Sequence, residues 1–520
     1  MIESRQTFAR FAFAAIALWT LSACVAPVAP PPSIPFPTES ANRTIAAGYM
    51  QISERYIDAL PLSEIALAGI AGLDAIDPML IARRQGANVT LWYGNKALNT
   101  VAVPADNDTE GWARLTVDMA IAGRDVSAEL RGASIERIYE AVFDGATSHL
   151  DRFSRYTGAQ MAAEQRARRR GFGGIGIEYR WTDAGAVISS IIPDSPAERA
   201  AILVGDVITR VDGQTIVGRS QEEFRETLRG PIGAPISIAV LRGDTKQLLS
   251  FNLTRHRIFI PTVKMKTTDG IIVAQISGFN SHTAKQLSEF YQAAERESVD
   301  PIRGVIIDLR DNPGGLLRQA VYVADLFLRQ GKIVSTRGRH PDSIHEYSAH
   351  QSDLAADLPL VVLVNGRSAS SAEIVAAALQ DHNRAIVIGT TSYGKGTVQT
   401  VARLPNDGEL TLTWSRFITP SGYYLHGLGV EPTVCTSGTG DARAKIAAAL
   451  NHAGEIAHVI AEWRTVPFGD HAERDRLRAA CPSSSSAPKV DIDVARILIN
   501  ERDLYHRVAT GPLSIASTAR

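Results

Sequence analysis

A serine, a lysine and a glutamine stand in an order that suits acyl transfer without a metal: Ser370, Lys395 and Gln399. Ser370 lies in NGRSASSAEIVAAALQD, residues 365–381, directly after the apolar run Pro359 to Val364. That run predicts a buried parallel strand. From Ser371 the spacing of Ile374, Val375, Ala378 and Leu379 predicts a helix. Ser370 therefore falls where a strand gives way to a helix N-terminus, beside unpaired N–H groups and the positive end of the dipole. A hydroxyl there can attack a carbonyl whose oxyanion develops within reach of those donors. Taken alone, Ser368, Ser370 and Ser371 are equally suited to capping the helix and nothing more.

A nucleophile needs a base. The chain has no GxSxG around Ser370 and no ordered Ser/Asp/His pattern, so a nucleophile elbow of the α/β-hydrolase kind is not supported. His382, beside Asp381 at the predicted helix C-terminus, reads as a capping or surface residue. Lys395 is the better base. It follows a predicted strand and stands between Gly394 and Gly396, which let backbone approach closely and leave the lysine free to point inward. Burial disfavours the charged amine, and a neutral lysine can accept the serine proton. Gln399, four residues on, can hold the amine without adding charge.

These residues must be positioned by strands and helices, and from about 259 to 434 the pattern alternates between the two, as in an α/β core. Before it, residues 171–258 open on the glycine-rich turn GFGGIGIE, which fits neither a phosphate loop nor a dinucleotide loop. A strand, a short helix from Ser195-Pro196, the run VGDVI and VDG, a second helix around Phe224 and Leu228, and a final strand Ile236 to Leu241 follow. This order, with SPAERAAILVGDVITRVDG, resembles a PDZ domain of the bacterial protease-associated type. The resemblance implies that Ile175, Gly176 and Ile177 offer backbone N–H groups to the carboxylate of a peptide that adds a strand to the sheet edge.

DLRDNPGG, SASSAEI, ALQD and GKGTVQ, in that order and behind the PDZ pattern, resemble the carboxy-terminal processing peptidases, or tail-specific proteases. The likeness covers about 171 to 434. It implies a multidomain α/β chain with a protease core of the ClpP/crotonase-like type. Carried over by position, Ser370 is the nucleophile, Lys395 the general base twenty-five residues later, and Gln399 the assisting residue. Asp381 is implied as structural support. The N–H of Ser371 and the Gly314-Gly315 turn are implied as oxyanion donors. No metal or nucleotide is expected. The chain departs from the family's usual strings in two places. Ser371-Ala372 replaces Ala-Ser, which makes Ser371 a rival nucleophile, and LDRFSRY (150–156) stands where LDPHSxY is usual.

The 520 residues, 45% hydrophobic and with net charge −1, have room for two to four domains, and their neutrality argues against nucleic acid as main partner. Arg5, Arg10 and the apolar Phe11 to Leu18 form an export signal too short to span a bilayer comfortably. Leu21-Ser22-Ala23-Cys24 resembles a bacterial lipobox, which makes Cys24 the expected lipidation site. The protein is thus expected to be exported, lipid-anchored and periplasm-facing. Val25 after the cysteine points, by the sorting rule of enteric bacteria, to the outer membrane. The expected layout is a signal peptide at 1–23, a Pro-rich linker at 24–39, a mainly helical domain at 40–165, the PDZ domain at 171–258, the protease core at 259–434 and a C-terminal extension at 435–520. In the mainly helical domain Gly69 to Leu80, around Asp77-Pro78, should close a helix, and Leu91 to Val103 should form a small hairpin. The run Arg166, Arg168, Arg169, Arg170 reads as a solvated linker, and Ser483 to Ser486 as another. Cys435 and Cys481 are left to pair in an oxidising compartment.

The function expected from all this is a serine endopeptidase that recognises exposed apolar C-terminal tails of exported proteins and cleaves them with a Ser/Lys dyad. Two readings compete: a non-catalytic, peptide-binding PDZ scaffold on a protease fold, and a retinoid-binding relative with an apolar cavity.

Overall fold

The run LVVLV forms the strand Leu360–Val364, buried along its whole length, because a strand between two packed layers has no face left for polar side chains. The computed structural model describes residues 35–243, 246–350 and 352–510. The predicted signal peptide, Cys24 and most of the Pro-rich linker lie outside the described residues.

Leu360–Val364 lies inside a six-stranded sheet in the order Val263–Thr268, Ile271–Ile276, Gly304–Asp308, Leu360–Val364, Ile386–Gly389, Val434–Cys435. The first pair is antiparallel and the rest are parallel, with Ile307 beside Val362 and Val362 beside Val387. Side chains alternate between two cores. Val305, Ile307, Val362, Val364 and Val387 face a core shared with the helices Thr283–Glu297, Leu317–Asp325 and Ser371–Asp381. Ile306, Val361, Leu363, Ile386 and Ile388 face the other, shared with Ala442–Asn451, Lys489–Asn500 and Arg502–Thr510. The stretch expected as an extension therefore closes one side of the protease core. The Ser483 to Ser486 segment is not a free linker either: Gly366 N–H donates to Ser484 O (2.7 Å) and Asn365 Nδ2 to Ser486 O (3.2 Å). A disulfide joins Cys435 to Cys481.

A second sheet carries Thr397–Arg403 and Glu409–Ile418, followed by Lys332–Arg337 and His345–Ser348. Arg155–Thr157, from the end of the N-terminal region, pairs with Glu409–Thr411 and so brings residues 150–157 against the core.

The N-terminal region is mainly helical, but its β part is larger than a hairpin. Leu80–Gln85, Asn88–Tyr93 and Lys96–Ala102 form a three-stranded antiparallel sheet. In LIARRQ only Leu80 is buried, so this strand has no alternating pattern and is held by its pairing with the better-buried Asn88–Tyr93.

In the PDZ region the sheet order is Gln247–Thr254, Pro235–Arg242, Val207–Val211, Gly185–Ile191, Ile177–Thr182. The expected last strand is thus followed by another, and His256–Ile258 then returns to pair with Phe172–Gly174. The basic run is no solvated linker. It ends the helix Ala159–Arg170, in which Arg166 (3.0 Å) and Arg169 (2.7 Å) both pair with the buried Glu409. Glu164 on the same helix binds Arg225 of the PDZ helix Gln221–Leu228 at 2.7 Å. Among the described residues no helix is long and apolar enough to cross a membrane. Glu409→Ala leaves two arginines without their buried partner. It is expected to cost about 1–3 kcal/mol, read as a lower denaturant midpoint.

Candidate active site

The turn between strand and helix is built on side-chain bonds to backbone. Asn365 Oδ1 accepts from the Asp311 and Arg367 amides (3.0 and 3.1 Å). Ser368 is fully buried; its hydroxyl accepts from Asn365 N–H and donates to Leu309 O (2.8 Å), so it is structural. Ser370 follows with φ 55° and ψ −113°, a conformation that a non-glycine residue holds only when its surroundings impose it. It is partly exposed, whereas Ser371 is 1% exposed and its hydroxyl donates to Gly315 O (3.0 Å). Of the two candidate nucleophiles, the geometry leaves Ser370 open and engages Ser371.

Gly314 (φ 102°) packs against this turn. A Cβ there would stand 2.9 Å from Ser370 Cβ and 2.8 Å from Ala369 O. The Gly314 N–H donates to Asn312 Oδ1 (2.8 Å), and Asn312 O accepts from Ala369 N–H (2.9 Å). Gly314 thus positions the turn while its own N–H is engaged; the Ser371 and Gly315 amides remain as candidate oxyanion donors.

Glu373, a residue of SASSAEI to which sequence reasoning assigned no role, is the centre of the site. It is fully buried, on the first turn of Ser371–Asp381. Its Oε2 accepts from the amides of both Ser370 (2.7 Å) and Lys395 (2.9 Å). Its Oε1 accepts from Gly394 N–H (2.6 Å) and the Ser392 hydroxyl. One carboxylate oxygen therefore separates the backbone of the serine from that of the lysine. All four partners are donors, which suits the ionised form. Burial acts the other way and pushes the carboxyl above its ordinary range.

Lys395 points into a partly buried space. Desolvation, and then the nearby Arg155, lower its proton affinity. Its Nζ lies over the Phe153 ring, 4.8 Å from the centroid. Among the described residues no hydrogen bond joins Lys395 Nζ to Ser370 Oγ. Gln399 Nε2 donates to the hydroxyls of Thr397 (2.9 Å) and Thr413 (3.2 Å) rather than meeting the lysine. Asp381 accepts from Ser421 N–H (3.0 Å) and its hydroxyl (2.7 Å) and pairs with Arg464 (3.1 Å), holding the far end of the helix. His382 Nε2 meets Lys332 O at 2.7 Å, at the helix C-terminus.

Behind the lysine loop, Thr391 Oγ1 contacts both Cys481 O (2.6 Å) and Glu431 Oε2 (2.8 Å). A hydroxyl has one proton to give. It serves these two acceptors in turn, while burial raises the Glu431 carboxyl to about 8. Arg478 donates to Ser392 O (3.0 Å) and Leu428 O, closing the same layer.

In the PDZ region Ile177–Thr182 is an edge strand, beside which Phe224 of Gln221–Leu228 meets Tyr179 at 4.9 Å. The carbonyls of Ile175 and Gly176 accept from Ala197 and Ile192 amides (both 2.9 Å). Gly176 has φ 83°, and a Cβ there would fall 2.1 Å from Ser195 Cβ. Among the described residues no group of three or more His, Cys, Asp or Glu is gathered as a metal would require.

Residues 270–436 match the model of peptidase family S41, and 173–253 match that of the PDZ domain. A carboxy-terminal-processing protease of Bartonella bacilliformis is 38% identical over 301 residues, 58% of this chain and 69% of that one. The chain belongs to peptidase family S41. It is a serine peptidase of multidomain α/β architecture with a PDZ domain. A probable CtpA-like serine protease of Staphylococcus haemolyticus is 34% identical over 300 residues, and there the alignment spans 57% of this chain and 59% of the relative. Among solved structures, a photosystem II D1 C-terminal processing protease aligns over 71% of this chain and 92% of its own at 24% identity and TM-score 0.35. The peptide-bound PDZ domain of a Vibrio cholerae carboxy-terminal protease aligns over 17% and 99% at 26% identity and TM-score 0.16.

Glu373→Gln turns one acceptor oxygen into a donor facing donors. The substitution is expected to lower unfolding free energy by about 1–3 kcal/mol. It should also cut kcat about 100-fold by displacing the Ser370 and Lys395 backbones that the carboxylate holds. Denaturant titration and peptide turnover read the two effects.

Proposed function

We propose that this S41 peptidase cleaves C-terminal tails of exported proteins with Ser370 as nucleophile and Lys395 as general base. The observation that carries this is Glu373 Oε2, which takes the amides of both residues and holds a strained Ser370 facing the lysine loop. In the proposed cycle Lys395 Nζ, as the neutral amine, takes the proton of Ser370 Oγ as it attacks the peptide carbonyl. The Ser371 and Gly315 amides receive the oxyanion. Lys395 then gives the proton to the leaving amine, and water, deprotonated by the same lysine, releases the acyl group. Gln399 and its Thr397 and Thr413 partners line the strand beside this loop, and Asp381 anchors the serine-bearing helix.

The edge strand Ile177–Thr182, with the aromatic cluster of Tyr179, Trp181 and Phe224, supports β-addition of an apolar tail whose carboxylate meets the Ile175, Gly176 and Ile177 turn. The lipobox around Cys24 supports export and lipid anchoring on the periplasmic side, in the outer membrane by the residue that follows it.

Ser370→Ala and Lys395→Met are each expected to lower kcat on a tail-tagged unfolded substrate by about four orders of magnitude or more, whereas Ser371→Ala retains most of it. Because the base works unprotonated, kcat/KM should rise with pH through a midpoint below the ordinary lysine value of about 10.4. Wild-type turnover by Ser370→Ala would remove Ser370 as the nucleophile, and no turnover by the wild type would leave only a peptide-holding scaffold. In fractionated cells Cys24→Ser is expected to shift the peptidase from membrane to soluble fraction; a wild type already soluble would remove the anchor.

A further inference from the structure

The segment LDRFSRY enters the site in a way that nothing in the reaction so far requires. Asp151 Oδ1 accepts from the amides of Phe153 (2.8 Å) and Ser154 (2.9 Å), which makes a tight turn with Phe153 at its tip. The Ser154 hydroxyl accepts from Thr413 N–H (3.1 Å), and Arg155–Thr157 pairs with Glu409–Thr411, so the turn is fastened to the second sheet. Phe153 is flanked by His426 edge-on (6.1 Å between centroids) and by the Arg152 guanidinium (4.8 Å from the ring centroid). His426 is in turn stacked on Phe468 (6.2 Å). The ring is thus held from several sides, and Lys395 Nζ lies over it, 4.8 Å from its centroid.

We propose that Phe153 is a positioning residue for the peptidase reaction: its ring face seats the Lys395 ammonium after the amine has taken the serine proton and before it gives that proton to the leaving nitrogen. This rests on the Ser370/Lys395 reading above. The face of an aromatic ring attracts a cation electrostatically and gives nothing comparable to a neutral amine. A ring at this place therefore favours the protonated lysine where burial disfavours it, and it fixes where the proton is stored.

The charged groups around Lys395 leave this role open to the ring. From the incoming segment, Arg155 and Arg152 oppose the ammonium while Asp151 supports it; from the serine helix, Glu373 supports it. His426, whose proton affinity is lowered to about 4 by burial and then by Arg152, Arg416 and Arg474, stands neutral at ordinary pH. Arg478 approaches Gly394 rather than the amine.

The test replaces Phe153 in the full-length peptidase by mono-, di- and trifluorophenylalanine, which keep the ring's shape and progressively remove its negative face. In the Ser370→Ala background, NMR of lysine labelled at the ε-carbon reads the Lys395 titration directly. The expected result is a stepwise fall in the titration midpoint, about 0.4 to 1.5 pH units in total. In the active enzyme the acid limb of kcat/KM should fall in step, and Phe153→Trp should move it the other way. A merely structural ring changes rate or stability and leaves the midpoint in place. A midpoint constant across the fluorinated series overturns the inference. Failure of the underlying dyad is seen separately, as activity retained by Lys395→Met.

Discussion

One buried carboxylate decides whether this site exists. Glu373 has no exposure to solvent, and its four hydrogen-bond donors include the amides of Ser370 and Lys395. A charge taken out of water is costly unless each lone pair finds a donor, and here the donors belong to the two loops that must meet. Neither loop satisfies the carboxylate alone. The need to pair it therefore draws the strained serine turn and the glycine-flanked lysine loop together.

The layers around it repeat the device. Asp308 and Arg310 of the DLR string pair with each other, and Arg310 reaches Asp491 on the far helix at 3.0 Å. That ion pair and the Ser484 contact with Gly366 fasten the C-terminal stretch beneath the strand ends that carry the DLRDNPGG and serine turns. The Cys435–Cys481 disulfide holds the chain where Arg474 and Arg478 cover the carbonyls of residues 424, 426 and 428 and of Ser392. Toward the PDZ domain, Ala159–Arg170 bridges Glu409 of the protease sheet and Arg225 of the groove helix. The PDZ region and the protease sheet thus lean on one helix.

Much of this was legible in the chain. LVVLV, GVIID and AIVIG are apolar enough to require burial on both faces, and they flank the turns that carry the chemistry. The separation of Ser370 and Lys395 and the PDZ-like glycine turn are local strings that survive reading in one dimension. The rival serine was not separable in that way: Ser370 and Ser371 have the same side chain, and what distinguishes them is the exposure and backbone of Ser370 and the Gly315 carbonyl that takes the Ser371 hydroxyl. Gln399 was legible as a neighbour of the lysine in sequence, yet its side chain turns to Thr397 and Thr413, because strand alternation sets its direction.

By itself the sequence determined the α/β class and the order of PDZ and protease parts, and it singled out Ser370 and Lys395 as candidates, because periodicity, glycine placement and motif spacing are properties of neighbouring residues. Tertiary structure decided which serine is open, that Glu373 joins the serine and lysine loops, that Phe153 faces the amine, and that an arginine run and a serine-rich stretch are fastened parts of the core. Those outcomes depend on partners such as Glu409, Gly366 and Thr413, far away along the chain. No local pattern carries the cost of leaving such groups unpaired when they are buried.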